Sequence, residues 1–187
     1  MENSMQTGLK VFRKCKPEIE NPDTDWPVSW SLCRQKGVPP DLASFLWKLL
    51  LNILPTQERL PRMKISVIAD CKHCPAPGTL QHELIDCDFN VGVGHKLLSS
   101  VQVDSPNCTA SQLIRLEIGD IPDDKKLPTI ILIATTLRHL WLKRTSSSRV
   151  QAYQVRAELE QTINMLRTSR LSTVADPLNT IKDQMFQ

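Results

Sequence analysis

Four residues with metal-binding side chains lie close together in this chain: Cys71, Cys74, His82 and Cys87, spaced C-x2-C-x7-H-x4-C. Three thiolates and one imidazole make a complete tetrahedral donor set for a structural zinc ion. A catalytic zinc keeps one position open for water, and this set leaves none. The spacing therefore predicts a zinc-stabilised binding or folding module and argues against a hydrolytic site. We call residues 71–87 the knuckle.

Local sequence predicts how the knuckle presents its ligands. The C-x2-C pair is typical of a tight turn, PAPG favours a loop, and Thr79 is suited to cap a short helix that carries His82. His82 and Cys87 are separated by about 500° of rotation on an α-helix. We therefore expect Cys87 to lie just past the helix end, where the chain can turn back to the metal. The segment has few apolar residues, so the metal should contribute directly to its folding.

Composition limits the class of protein. The chain has 187 residues, of which 41% are hydrophobic and 5% aromatic, with a net charge of +3. This mild charge permits nucleic-acid binding without requiring it. No apolar run approaches the roughly 18 residues that span a bilayer, and the N-terminus lacks the apolar core of a signal peptide. We expect an intracellular protein, nuclear or cytoplasmic, that does not contact membranes and whose cysteines are ligands or free thiols.

Apolar residues recur with helical spacing along most of the chain, which predicts an all-α fold with an embedded CCHC zinc knuckle. The predicted helices run from an N-cap at Asp41 to Pro55, over a short stretch capped by Thr56, near 91–101, from a cap at Thr109 to 117, from Pro128 to about Lys143, and from about Arg149 to Ser169. We divide the chain into a flexible arm over residues 1–25, a helical zinc-binding domain over 26–171, and a C-terminal tail over 172–187 with a short helix after Pro177.

Basic side chains lie before and within the knuckle and are candidates for phosphate contacts with nucleic acid: Arg59, Arg62, Lys64 and Lys72. His73 lies beside Lys72, between the first two ligands. An ordinary solvated face is the alternative. A second basic stretch, 137–170, contains seven Lys or Arg and two Glu. Its Arg149, Arg156 and Arg167 share one side of the predicted helix, either as a stripe that follows a nucleic-acid backbone or as a solvated flank.

Catalytic arrangements are missing from the sequence. It contains no glycine-rich phosphate loop and no suggestive order of Ser, His and Asp. Asp123 and Asp124 form the only adjacent acidic pair, in a stretch predicted to be a polar loop, whereas polymerases need clustered aspartates to hold catalytic metals. We therefore expect a chain that is not an enzyme and has no small-molecule substrate.

Two further motifs precede the knuckle, FLWKLL and LPTQERL. Together with the four ligands, they resemble the reverse-transcriptase zinc-binding domain found near the C-terminus of LINE-type (non-LTR) retrotransposon polyproteins. The positions that match are Phe45, Trp47, Leu49, Leu50, Leu54, Pro55, Thr56, Arg59 and Leu60. The resemblance implies an accessory role in target-primed reverse transcription, in which the domain helps to bind template RNA or target DNA beside the polymerase.

Two functions follow as hypotheses. The first is a non-catalytic, zinc-stabilised domain that binds RNA or DNA through the four cations beside the knuckle. The second is a structural protein-interaction module in which zinc serves only to stabilise the fold. In that case Trp47 and Leu51 would pack against a partner such as a reverse-transcriptase domain.

Overall fold

A computed structural model describes residues 26–65, 68–90, 92–119 and 121–187. The arm predicted over residues 1–25 lies outside the described residues. Within them the chain is helical and has no strand, and it contains a group of three cysteines and one histidine, which confirms the predicted fold class. The α-helices are α1 (Trp26–Cys33), α2 (Pro40–Leu50), α3 (Val93–Gln102), α4 (Ala110–Ile114), α5 (Asp123–Lys143), α6 (Ala152–Thr168) and α7 (Ser172–Met185).

Helix α5 is the centre of the fold. It packs against α2, α3, α6 and α7. The sequence predicted an apolar stripe on it, but every residue from Pro128 to Leu137 is buried. A helix that buries its whole circumference is one that is surrounded by other elements. Helices α2, α3, α6 and α7 therefore surround α5, and the second half of the knuckle contacts the same helix.

Two predicted helix starts are wrong, those of α2 and α5. Helix α2 begins at Pro40 with Pro39 as its N-cap, so Asp41 belongs to the first turn instead of capping it. Proline is favoured there because its fixed φ suits the first helical position. Helix α5 begins at Asp123, five residues before Pro128. The acidic pair Asp123–Asp124 therefore lies in the first helical turn, where carboxylates favour the positive end of the helix dipole.

The C-terminal segment also departs from its prediction. Instead of a short helix after Pro177, residues Ser172–Met185 form one helix with Pro177 inside it. The proline forfeits one backbone hydrogen bond. Burial of an apolar face that includes Ala175 and Leu178 offsets this cost. The helix packs on α5, α6 and α3. The domain boundaries themselves stay predictions.

Two predicted caps have different outcomes. Thr109 caps α4 as expected, because its side chain accepts a hydrogen bond from the Gln112 backbone N–H and the Gln112 side chain accepts one from the Thr109 N–H. The helix predicted to start at Thr56 is instead a series of turns over 57–64. Pro61 lacks the N–H that would continue a helix there.

No described helix has the length and apolar character needed to cross a membrane.

Gly94 is required by the close approach of α3 to the knuckle. A Cβ atom at this position would lie 2.5 Å from the Ile85 Cα and 2.6 Å from the Ile85 backbone oxygen. These atoms belong to the main chain and cannot rotate away. The absence of a side chain at Gly94 therefore sets the distance between α3 and the segment that carries His82 and Cys87.

We expect Gly94→Ala to lower the free energy of unfolding by about 1–3 kcal/mol, because the added methyl group must push the two segments apart. Urea unfolding followed by circular dichroism measures this. Gly119→Ala is the matched control, since a Cβ atom at Gly119 would meet nothing within 4 Å. Equal unfolding free energies for the two variants would contradict the packing constraint.

Candidate metal centre

The first two candidate ligands lie on a tight, hydrogen-bonded turn. The Cys71 N–H donates to the Ala76 oxygen at 2.8 Å, and the Gly78 N–H donates to the Ala69 oxygen at 2.9 Å. These bonds close a small hairpin around Cys74 and direct both thiols to the same side. The predicted C-x2-C turn is therefore present.

The other two ligands are brought together by a π turn, His82–Asp86. The Thr79 hydroxyl accepts a hydrogen bond from the His82 N–H at 3.1 Å, as expected of a cap. The Cys87 N–H then donates to the His82 oxygen at 2.9 Å, which is a bond between residues five apart. This wider turn places the two ligands one above the other, although an α-helix would have rotated them apart. The sequence predicted that Cys87 follows the helix end, but it did not predict the π turn.

The four donor atoms form a single group. The sulfur atoms of Cys71, Cys74 and Cys87 and a ring nitrogen of His82 all lie within 4.8 Å of one another. The Cys71 and Cys87 sulfurs are 3.7 Å apart, far beyond the roughly 2.05 Å of a disulfide. With Zn–S bonds of about 2.3 Å, two sulfurs on a tetrahedron are separated by about 3.8 Å. The 3.0 Å between the Cys74 Sγ and the His82 Nε2 is about half an ångström shorter than the corresponding tetrahedral edge.

Protons compete with any metal for these thiols. Burial raises the pKa of Cys87 to about 12, and the hydrogen bond and negative charge of the neighbouring Cys71 and the charge of Cys74 add to this effect. A thiol binds metal as the thiolate, so coordination must displace this proton. The donor set, three sulfurs and one nitrogen in a closed group, fits a structural zinc ion.

A turn on the N-terminal side is held against the knuckle by backbone groups. The Gln57 N–H donates to the Glu83 Oε1 at 2.7 Å, and the Glu58 N–H donates to the Gly78 oxygen at 3.1 Å. Gly78 permits this approach, since a Cβ atom there would lie 2.4 Å from the Gln57 Cβ. The turn that carries Arg59 and Arg62 is therefore fixed beside the metal group.

Sequence reasoning missed two residues at this site, Glu83 and Arg144. Glu83 follows the ligand His82 and is only 6% exposed. Its Oε2 lies 3.6 Å from the Nε of Arg144, which reaches the knuckle from the end of α5. Desolvation raises the pKa of Glu83, while the Gln57 N–H and the Arg144 charge oppose that shift. The position of Glu83 beside a ligand was a usable signal in the sequence. Arg144 offered none, because only the fold brings it near.

His73 is engaged in contacts within the protein. Its ring stacks on Phe89 with 3.5 Å between centroids and 8° between planes. Its Nε2 lies 2.6 Å from the Arg144 backbone oxygen, so it donates a hydrogen bond there in the matching tautomer. Both contacts occupy the imidazole. The expected participation of His73 in a phosphate-contacting surface is therefore not supported by its surroundings.

The four predicted phosphate-contacting cations are largely accessible. Arg62, Lys64 and Lys72 are exposed, and Arg59 is half-buried. Arg62 forms an ion pair with Glu58 at 3.8 Å, with its side chain 65% exposed. An exposed ion pair of this kind contributes little to stability.

The second basic stretch is charge-compensated in the fold. The Arg156 guanidinium lies 3.2 Å from Glu160 and 3.7 Å from Asp183, and that of Arg167 lies 3.0 Å from Asp176. Two of the three members of the predicted stripe therefore face carboxylates from α6 and α7. Arg149 is exposed, in the segment that precedes α6. The arrangement favours a solvated flank over a backbone-following stripe.

Comparison with known families supports the assignment of the site. Residues 10–93 match a family model described as zinc-binding in reverse transcriptase, and the match covers just under half of the chain. Comparisons with curated proteins and with solved structures gave no match. The matched segment contains all four candidate ligands and both motifs that precede the knuckle. It ends before α4, α5, α6 and α7 begin.

We expect the purified chain to bind one zinc ion, and Cys87→Ser to lose it, because a hydroxyl is a far weaker zinc ligand than a thiolate. Metal content by atomic emission and Co²⁺ absorption, which reports thiolate coordination, measure this. Cys33→Ser is the control, because Cys33 is a buried core cysteine outside the group. Loss of zinc from both variants, or from neither, would contradict the assignment.

Proposed function

We propose that this chain is a non-catalytic, zinc-stabilised domain that binds nucleic acid as an accessory to a reverse transcriptase. The Cys71, Cys74, His82 and Cys87 group carries the proposal, since it is a closed donor set inside a segment that matches a family described as zinc-binding in reverse transcriptase. A closed set leaves no position for an activated water, so zinc here would act on structure. The LINE-type origin and a place near the C-terminus of a polyprotein belong to this proposal.

The proposed contact surface consists of the described residues between Arg59 and Lys72. It contains Arg59, Arg62, Lys64 and Lys72 and a single acidic residue, Asp70. Exposed carboxylates reappear at Asp86 and Asp88, on either side of the last candidate ligand, Cys87. The local charge is therefore positive over residues 59–72 and negative around the last candidate ligand, Cys87. A polyanion would approach the first of these regions.

Replacement of the four cations with Ala should weaken binding to both single-stranded RNA and duplex DNA. The slope of log K against log salt should fall by about 0.7 to 0.9 for every phosphate that the variant no longer neutralises. Fluorescence anisotropy titrations at several salt concentrations measure both quantities. A zinc-loaded protein is required, and a chelator-treated sample tests whether binding depends on the folded knuckle.

The control for this experiment removes four other cations, Arg149, Arg156, Arg167 and Arg170. Both quadruple variants change the net charge from +3 to −1, so bulk electrostatics are matched. Weakening confined to the knuckle variant supports the proposed surface. Equal weakening in both variants, or unchanged affinity in the knuckle variant, would refute it.

A protein-interaction function is the second candidate, and exposed apolar residues favour it. Ile53, Met63, Ile65 and Ile68 are 41%, 50%, 66% and 61% exposed. Trp47, one of the two residues predicted to meet a partner, is 39% exposed, whereas Leu51 is 8% exposed and already covered. A reverse-transcriptase domain is the partner that the family description implies.

Size-exclusion chromatography with a reverse-transcriptase domain distinguishes the two functions. Complex formation that is abolished in the Ile65→Ser/Ile68→Ser variant but retained in the four-cation variant supports the interaction module. Nucleic-acid binding with the opposite dependence supports the leading proposal.

A further inference from the structure

Arg144 contacts both halves of the metal group from outside the matched segment. Its backbone oxygen lies 2.6 Å from the His73 Nε2, and His73 lies between the ligands Cys71 and Cys74. Its side-chain Nε lies 3.6 Å from the Glu83 Oε2, and Glu83 adjoins the ligand His82. One residue therefore spans the C-x2-C turn and the π turn.

The guanidinium of Arg144 is itself held in place. Its Cζ lies 3.4 Å from the centroid of the Trp141 ring, and its Nη1 donates to the Trp141 oxygen at 2.9 Å. Its Nη2 lies 3.5 Å from the Pro55 oxygen. A planar cation stacked on an aromatic ring and bonded to backbone oxygens loses little further freedom when it pairs with a carboxylate. Arg144 is therefore held in place at the end of α5, and both its backbone oxygen and its guanidinium contact the knuckle.

The buried carboxylate of Glu83 depends on the positive charge of Arg144. Among the described residues, none donates a hydrogen bond to its buried Oε2. Glu83 and Arg144 both line a small cavity of about 10 Å³, together with Cys71 and Cys87. A buried carboxylate that loses its counter-charge is strongly destabilised. Without Arg144, the Glu83 side chain would move toward water and carry the π turn with it.

We infer that Arg144 is a positioning residue for the metal centre, and that α5 therefore completes a site whose ligands all lie in the knuckle. This inference rests on the proposed zinc site. The ligands supply the metal bonds, while Arg144 fixes the separation of the two ligand pairs through His73 and Glu83. Outer contacts of this kind orient ligands before the metal binds, and their removal typically lowers metal affinity 10–100-fold.

The test is a zinc affinity measurement on the full chain by competition with a chromophoric chelator. We expect Arg144→Met to weaken zinc binding by about 10–100-fold. Arg167→Met, which removes an exposed arginine paired with Asp176, should leave the affinity within about twofold, the effect expected for an exposed ion pair. The Co²⁺ spectrum of Arg144→Met should also shift, because the ligand geometry relaxes. A merely structural role would lower the stability of metal-free and metal-loaded protein equally and leave the affinity unchanged.

A double-mutant cycle identifies the route of the effect. Glu83→Gln removes the carboxylate that pairs with Arg144. If the coupling runs mainly through Glu83, adding Arg144→Met to this variant should weaken zinc binding by less than about a further threefold. Arg144→Lys keeps the charge but not the stacked planar fork, and should fall between wild type and Met. It also serves if the Met variant does not fold.

The outcomes separate this inference from the zinc proposal. A wild-type chain that binds no zinc overturns the zinc proposal and this inference with it. A wild-type chain that binds zinc while both Arg144 variants keep its affinity and Co²⁺ spectrum overturns the inference alone. Full additivity in the cycle would overturn the route through Glu83.

Discussion

The convergence of two ligand pairs on one point is the constraint from which the rest of this structure follows. Cys71 and Cys74 come from a hairpin, and His82 and Cys87 come from a π turn. Neither element has a core of its own, and each is closed by a few backbone hydrogen bonds. Four donors that share one metal ion would fix the relative position of these two elements, and the donor atoms already lie within 4.8 Å of one another. A contact that supports either element therefore also bears on where its candidate ligands lie.

The helical bundle supplies those supporting contacts on two sides. Gly94 lets α3 lie directly against the π turn, with no side chain between their backbones. On the other side, the end of α5 presents Arg144 to Glu83 and His73. Both contacts come from residues that follow the segment matched to the reverse-transcriptase family, which ends at residue 93. The knuckle and the bundle are thus parts of one packed unit, with α5 as the shared support.

Charge is distributed unevenly over this unit. The cations over residues 59–72 are largely exposed, and the ion pair of Arg62 is weak, whereas Arg156 and Arg167 face carboxylates on α6 and α7. Paired charges contribute little field beyond their immediate surroundings, because the opposite charges cancel at a distance of several ångströms. The surface over residues 59–72 is therefore where a polyanion would meet a net positive field. The same stretch also exposes the isoleucines Ile65 and Ile68 to solvent. This exposed apolar surface is the reason to consider a protein-interaction module as the alternative.

The sequence by itself determined the candidate ligand set, the caps at Thr79 and Thr109, and the helical class, because each depends on residue types at short spacing. It also indicated that Cys87 lies beyond the helix end. It could not determine the π turn, because these residue types do not distinguish a backbone hydrogen bond to the fourth preceding residue from one to the fifth. Nor could it determine the burial of Glu83 against Arg144, the pairing of Arg156 and Arg167, or the stacking of His73 on Phe89. Those contacts depend on how separate segments pack together, so only the tertiary arrangement around α5 decides them.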